Sequence, residues 1–396
     1  MKKKILFLIH TLQVGGAEKV LVNLVNKLDK EKYDVTVMTV INTGVFRNEL
    51  QKDVKYKTIF NVKFLNRKSK QKNKEKSGNL FDKTSKVKKL MAKIYQFFWR
   101  HINCEKIYKR YIKENYDIEV AFLEGISAKI IANSTNEKSK KISWIHVDLI
   151  NEKKTEKFFK NKQEEKETYK KFDNIVAVSE HVKDQFIEKF KIPEEKVVVR
   201  YNPIDNRDIE KFANEKIDDV KKEKFTICTV GRLSKQKGYD RLLEIVKKLN
   251  TDKLDFYLWI IGVGAEEEKL KKYIDENKLY NVKLLGYKKN PYKYIKASDL
   301  FVCSSRAEGF STVVSEAIIL EKPVVTTLCS GMKELLGNDS EYGIICENDT
   351  ESLYIAVKEM LTNTEKYNYI KEKVIERKDI FDINKSIKNI EELFEN

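Results

Sequence analysis

Short apolar runs alternate with amphipathic stretches along most of this chain. Ile5–Ile9 is uninterrupted apolar sequence after a basic start and predicts a first strand. Ala17–Leu28 follows as a helix, with Val20, Leu21, Leu24, Val25 and Leu28 on one face. Asp34–Val40, Ile118–Leu123, Ile142–Ile145 and Ile175–Val178 read as further strands. A second series begins at Phe225–Val230, with a helix over Tyr239–Leu249 and strands at Phe256–Ile261, Val282–Leu285, Leu300–Cys303 and Val324–Thr326. Strands separated by helical stretches predict an α/β chain with parallel sheets, here two open, doubly wound, Rossmann-like domains. The series restarts after Pro203 and the polar stretch Asp205–Lys224. Residues 1–205 are therefore expected to form an N-terminal domain and 206–380 a C-terminal one. Ile387, Ile390 and Leu393 recur at helical spacing, so 381–396 is expected to be a terminal helix packing back on the N-terminal domain.

Composition agrees with two cores. The 396 residues exceed one ordinary core, and 41% hydrophobic content with 19 Tyr and 20 Phe can fill two. Only 14 Gly and 4 Pro argue against long disordered linkers. The net charge of +17 asks for a polyanion: nucleic acid, an acidic membrane surface or a phosphorylated substrate. Diffuse, solvated lysines would account for much of it with no ligand at all. No helix-turn-helix, RNA-recognition, KH or zinc signature is present, so no nucleic-acid partner is expected. Cys104, Cys228, Cys303, Cys329 and Cys346 share no zinc or redox spacing, and a reduced, cytoplasmic compartment is the expectation. The apolar N-terminal run stops at His10, too short for a signal core, and no run approaches the ~20 residues of a membrane span.

The basic stretch 63–100 changes that picture. Lys68, Lys70, Lys72, Lys74 and Lys76 alternate with polar residues, and from Val87 an amphipathic helix is predicted. Leu90, Met91, Ile94, Phe97 and Phe98 share its apolar face, Lys88, Lys89 and Lys93 lie mostly elsewhere, and Trp99 and Tyr95 fall near the edges. Lysines beside an aromatic stripe describe a helix lying in the headgroup layer of an anionic membrane. The alternative is a face packed on the first domain, with an ordinary solvated flank.

Three motifs carry candidate chemistry. The turn after the first strand, His10 to Glu18, contains Gly15 and Gly16 and opens a helix, where a diphosphate or sugar can approach backbone amides. After the first strand of the second series come Gly231, Arg232, Lys237 and Gly238, a basic loop leading into a helix. It is neither a Walker loop nor a dinucleotide fingerprint, but Arg232 can fork onto two phosphate oxygens and Lys237 can supply a point charge. The third follows the strand Leu300–Cys303: Glu308, Gly309, Phe310, Ser311 and Thr312, then Glu316 two turns into a helix. The two carboxylates lie roughly 12 Å apart along the axis, too far for a paired-carboxylate glycosidase. The spacing suits a ligand lying across the helix end, hydroxyls at each Glu and phosphates at the amides between.

Together the Gly-Gly-Ala-Glu turn, the Gly-Arg-x4-Lys-Gly loop, the Glu-x7-Glu pair and Pro323-Val-Val resemble glycosyltransferase family 4, retaining enzymes of the GT-B fold. The resemblance implies two Rossmann-like domains facing across a cleft, acceptor-side first and donor-side second. It implies donor contacts at Gly15, Gly16, Gly231, Arg232, Lys237, Glu308, Gly309, Phe310, Ser311, Thr312 and Glu316. Glu316 would bind the ribose, Glu308 the transferred sugar, and Arg232 and Lys237 the diphosphate. A lone histidine is more often structural, but the resemblance puts His146 opposite the donor sugar; Arg232, Lys237, Glu308 and His146 are then the catalytic set. No Asp-x-Asp motif appears, so no metal and no cofactor is expected. Ser311-Thr312 and Cys329-Ser-Gly331-Met depart from the pattern of many members. The expected reaction moves a sugar, from a UDP-sugar by preference, to an undecaprenyl-linked saccharide acceptor in capsule, exopolysaccharide or lipopolysaccharide synthesis, on the inner face of the plasma membrane. A nucleotide-sugar epimerase or a phosphorylase could share the fold.

Overall fold

The first strand, β1 (Lys3–Ile9), exposes none of Ile5–Ile9 on either face, which is what a strand inside a parallel, helix-covered sheet requires. A computed structural model describes residues 1–13, 15–61, 93–94, 96–150 and 155–395. Beside β1 run β2 (Tyr33–Ile41), β3 (Lys55–Phe60), β4 (Ile118–Ala121), β5 (Lys140–Ile145), β6 (Asn174–Ala177) and β7 (Val197–Val199). Their order is β3-β2-β1-β4-β5-β6-β7 with every pair parallel, so the order reverses between β1 and β4.

The second sheet repeats the scheme. It contains β8 (Phe225–Val230), β9 (Phe256–Ile261), β10 (Val282–Gly286), β11 (Leu300–Cys303), β12 (Val324–Thr327) and β13 (Ile344–Cys346). The order β10-β9-β8-β11-β12-β13 is again all parallel and reverses beside β8. Ile227, Leu243, Val246, Leu258, Ile260, Val302 and Val357 belong to one buried cluster between sheet and helices. In open sheets of this kind ligands bind at the carboxyl ends of the strands where the order reverses.

Two compact units divide the chain: Met1–Arg200 with Ile390–Asn396, and Tyr201–Asn389. This divide falls shortly before the boundary expected at 205/206. The last turns of the helix Ile383–Glu395 close the amino edge of the first sheet. Phe394 meets Phe7 and Tyr33 edge-on, at 6.1 and 6.0 Å, and Glu395 accepts hydrogen bonds from Lys3 and from the Tyr33 hydroxyl.

Three strands went unread in the sequence. β3 interleaves Lys55 and Lys57 with Tyr56 and Thr58, polarity that an edge strand tolerates and that guards against mispairing. β7 and β13 are three residues each, too short for any periodicity. Among the described residues, no helix is long and apolar enough to cross a membrane.

Candidate active site

In the second unit the basic loop leaves β8 and the carboxylate loop leaves its neighbour β11. Gly238, at φ 67, lets these loops touch backbone to backbone, because a Cβ there would run into the Ser304 carbonyl oxygen. Gly262, at φ 143, does the same for the loop after β9, whose clasp on the β8 loop includes Leu233 N–H to Val263 O at 3.0 Å. The Lys237 ammonium therefore reaches Glu308 Oε1 at 2.6 Å, and the Ser305 hydroxyl donates to the same oxygen. Both ionised side chains are largely sheltered, 21% and 10% exposed. Burial works against the Lys237 charge, but the Glu308 carboxylate outweighs it and holds the lysine above its ordinary pKa. Lys237 is thus a fixed cation and not a base. Together with Thr229, Tyr239, Cys303, Ser304 and Ser305 it lines a recess at the carboxyl ends of β8 and β11.

The helix Thr312–Ile319 opens beside this pair. Ser311 occupies its N-cap position without making a side-chain cap bond; it is 2% exposed and its hydroxyl has no partner. Phe310 is buried and stacks on Tyr201 with ring centroids 5.2 Å apart. Gly309 is buried, Thr312 and Glu316 are half-buried, and Arg232 is exposed. A helix N-terminus with uncapped amides beside a lysine can accept an anion, and flanking carboxylates can accept hydroxyl hydrogens.

In the first unit Gly15 and Gly16 open the helix Gly16–Lys27 after β1, with no side-chain cap. His146 lies just past β5; its backbone N–H donates to Glu124 at 3.2 Å, and its ring packs 4.9 Å from that of Phe122. Burial pushes the imidazole down to about 3, so His146 is neutral at physiological pH, and its Nε2 has no partner. His10, just past β1, is likewise lowered by burial, to about 4, and packs edge-on with Trp99 and Phe158.

Two family models match consecutive parts of the chain, Glycosyltransferase Family 4 over residues 14–207 and Glycosyl transferases group 1 over 210–377. This chain belongs to glycosyltransferase family 4. Over 218 residues it is 35% identical to the N-acetylgalactosamine-N,N'-diacetylbacillosaminyl-diphospho-undecaprenol 4-alpha-N-acetylgalactosaminyltransferase of Campylobacter jejuni, covering 54% of this chain and 58% of that one. It is 26% identical over 199 residues to the capsular polysaccharide biosynthesis glycosyltransferase CapM of Staphylococcus aureus, covering 48% and 52%. The chain thus spans little more than half the length of these relatives. Anabaena HepE in complex with UDP and glucose superposes over 100% of both chains with a TM-score of 0.71 at 19% identity, a likeness of fold. The fold class is GT-B, two parallel-sheet α/β domains.

Within the second domain of this family 4 chain, Gly231, Lys237, Glu308, Gly309, Phe310, Ser311 and Thr312 all lie in the loops at the carboxyl ends of β8 and β11 or at the helix start that follows. Sequence reasoning missed what holds them there. Gln236 donates to Ala307 O at 2.9 Å, Arg306 pairs with Asp240 through two bonds, and Arg241 and Asn348 bind loop carbonyls. The one available signal was an arginine at 241 beside an apolar helical stretch; nothing marked Asn348. Lys68, Lys70, Lys72, Lys74, Lys76, Lys88 and Lys89, assigned above to a membrane face, lie outside the described residues. Lys93 is exposed, as are Phe97 at 65% and Phe98 at 48%. Trp99 is not membrane-facing: it is 2% exposed, edge-on to His10, Phe60 and Phe158.

Proposed function

We propose that this chain is a retaining, metal-independent glycosyltransferase that moves a sugar from a UDP-sugar to a lipid-linked saccharide in bacterial surface-polysaccharide synthesis. The observation that carries the reading is the Lys237–Glu308 pair, held at 2.6 Å beside the uncapped N-terminus of the Thr312–Ile319 helix. A diphosphate at those amides would take Lys237 and Arg232 as counter-charges. Charge builds on the leaving diphosphate as the glycosidic bond breaks, so these cations stabilise the transition state more than the ground state. Glu308 would accept hydroxyls of the transferred sugar and Glu316 those of the ribose. His146, neutral, can offer a ligand of the first domain a hydrogen bond and not a charge. The acceptor oxygen attacks the anomeric carbon on the face the diphosphate leaves, and the departing phosphate oxygen takes its proton. The configuration is thereby retained.

Likeness to the Campylobacter and Staphylococcus relatives supports the polysaccharide context and, for the first, an undecaprenyl diphosphate acceptor. The basic stretch 63–100 and exposed Phe97 and Phe98 support docking on the anionic inner face of the plasma membrane. A panel of sugar nucleotides, with acceptor extract and with EDTA, tests the reaction by nucleoside diphosphate release and by the anomeric proton of the product. We expect release from a UDP-sugar, undiminished by EDTA, with retained configuration. Activity lost to chelation and restored by magnesium would overturn the metal-free mechanism, and isomerised donor without release would make the protein an epimerase.

A further inference from the structure

Arg241 sits in the first turn of the helix Tyr239–Thr251 and is 4% exposed. A buried cation ordinarily lies against a carboxylate. Among the described residues, Arg241 has no carboxylate within ion-pair distance: its Nε donates to Ser304 O at 2.9 Å, Nη2 to Ser305 O at 2.6 Å and to Thr327 Oγ1 at 3.3 Å, and Nη1 to Asn348 O at 3.2 Å. Its acceptors are three backbone carbonyls and one hydroxyl. They come from the loop after β11, the end of β12 and the loop after β13, all at the carboxyl edge of one sheet. Burial and the like charge of Arg306 pull its pKa below the ordinary arginine value, yet a guanidinium stays protonated.

We infer that Arg241 is a positioning residue for sugar transfer, clamping three loops of the second domain so that Lys237 and Glu308 are held in register for the donor diphosphate and sugar. The inference rests on the donor-site reading above. The connection is short. Ser304, whose carbonyl binds Arg241, donates its hydroxyl to Lys237 O at 2.9 Å; Ser305, whose carbonyl also binds it, donates its hydroxyl to Glu308. Thr327 Oγ1 donates to Ser305 O as well, and Asn348 carries the clamp on to Arg306 O and Leu328 O, each at 3.0 Å. Arg241 thus stands one residue behind each member of the site's ion pair. Its charge, hydrogen-bonded to carbonyl and hydroxyl oxygens, also adds positive potential beneath the loops that would receive a diphosphate.

The test uses the full chain with Arg241→Met, Arg241→Lys and Thr327→Val, assayed well below each variant's melting temperature. Nucleoside diphosphate release should fall ~10- to 100-fold in kcat for Arg241→Met, the range for a small misplacement of reacting groups, with donor KM changed much less. Arg241→Lys should recover part of the loss, because it restores the charge and some of the bonds. Turnover within about twofold of wild type in folded Arg241→Met overturns the inference, as does a loss that vanishes on cooling and so tracks stability alone. Should Arg241→Met fail to fold, Thr327→Val decides: it removes one hydroxyl, and unchanged kcat overturns the clamp. Wild type that releases no nucleoside diphosphate from any sugar nucleotide overturns the donor-site reading and this inference with it. An active wild type with unaffected variants overturns this inference alone.

Discussion

His146 shows how a residue's chemistry depends on its surroundings. Its candidacy came from the resemblance; its charge state came from burial, which no local sequence feature reveals. Between the ordinary histidine pKa of 6.5 and its folded value of about 3, the unfolded chain binds a proton that the folded chain does not. Stability must therefore fall as pH drops below 6.5, by up to about 1.4 kcal/mol per pH unit from this residue, and gain nothing from it above 6.5. Thermal melts from pH 6.5 to 4.5 should show a shallower decline for His146→Gln than for wild type. Parallel declines would mean that the imidazole is not held neutral. An orphaned Nε2 costs about 1–3 kcal/mol if nothing meets it, so the same variant should not be strongly destabilised at pH 8.

At the scale of elements, the helical stretch 96–101 illustrates how far periodicity reaches. The pattern of Ile94, Phe97 and Phe98 was legible, and all three are exposed, at 53%, 65% and 48%. Trp99 was grouped with them because an edge position on a helical wheel fits either side. What buries it is the far side of the helix. The buried Lys129 ammonium donates to Arg100 O and Phe158 O, each at 3.0 Å, pinning the helix end onto the aromatic cluster around Phe158. The two faces should therefore respond differently. Phe97→Ser with Phe98→Ser should weaken co-sedimentation with anionic vesicles and leave the melting temperature nearly unchanged. Trp99→Ala should cost about 3–5 kcal/mol of stability, as for other buried aromatics cut to Ala. Vesicle binding that ignores the double substitution would remove this helix from the docking surface.

At the scale of the molecule, the first domain is completed by residues that follow the second in sequence. Lys3, Tyr33 and Lys140, at the starts of β1, β2 and β5, all bond to residues 393–395. Phe394, 2% exposed, fills the space against Phe7 and Tyr33. Phe394→Ala should destabilise the first domain by about 3–5 kcal/mol. Trp99 and Trp144 lie in that domain and Trp259 in the other, so fluorescence in a Trp259→Phe background reports it alone. Its transition should move to lower temperature, while a shift absent there would mean that the helix end contributes little.

Apolar runs at strand length, a restart after Pro203 and motifs in a fixed order were enough, in the sequence by itself, to determine two parallel α/β domains and their family. Those properties are local or periodic, and each strand buried on both faces announces itself. The charged pair of Lys237 and Glu308 is different, because its members lie 71 residues apart and meet only when β8 and β11 become neighbours. Arg241 is different for the same reason: its acceptors are main-chain carbonyls, which leave no mark on residue identity. The polar edge strand β3, the buried Trp99 and the neutral His146 complete the set that only tertiary structure decided. In each, burial and neighbours from distant sequence set the outcome, and a one-dimensional pattern carries neither.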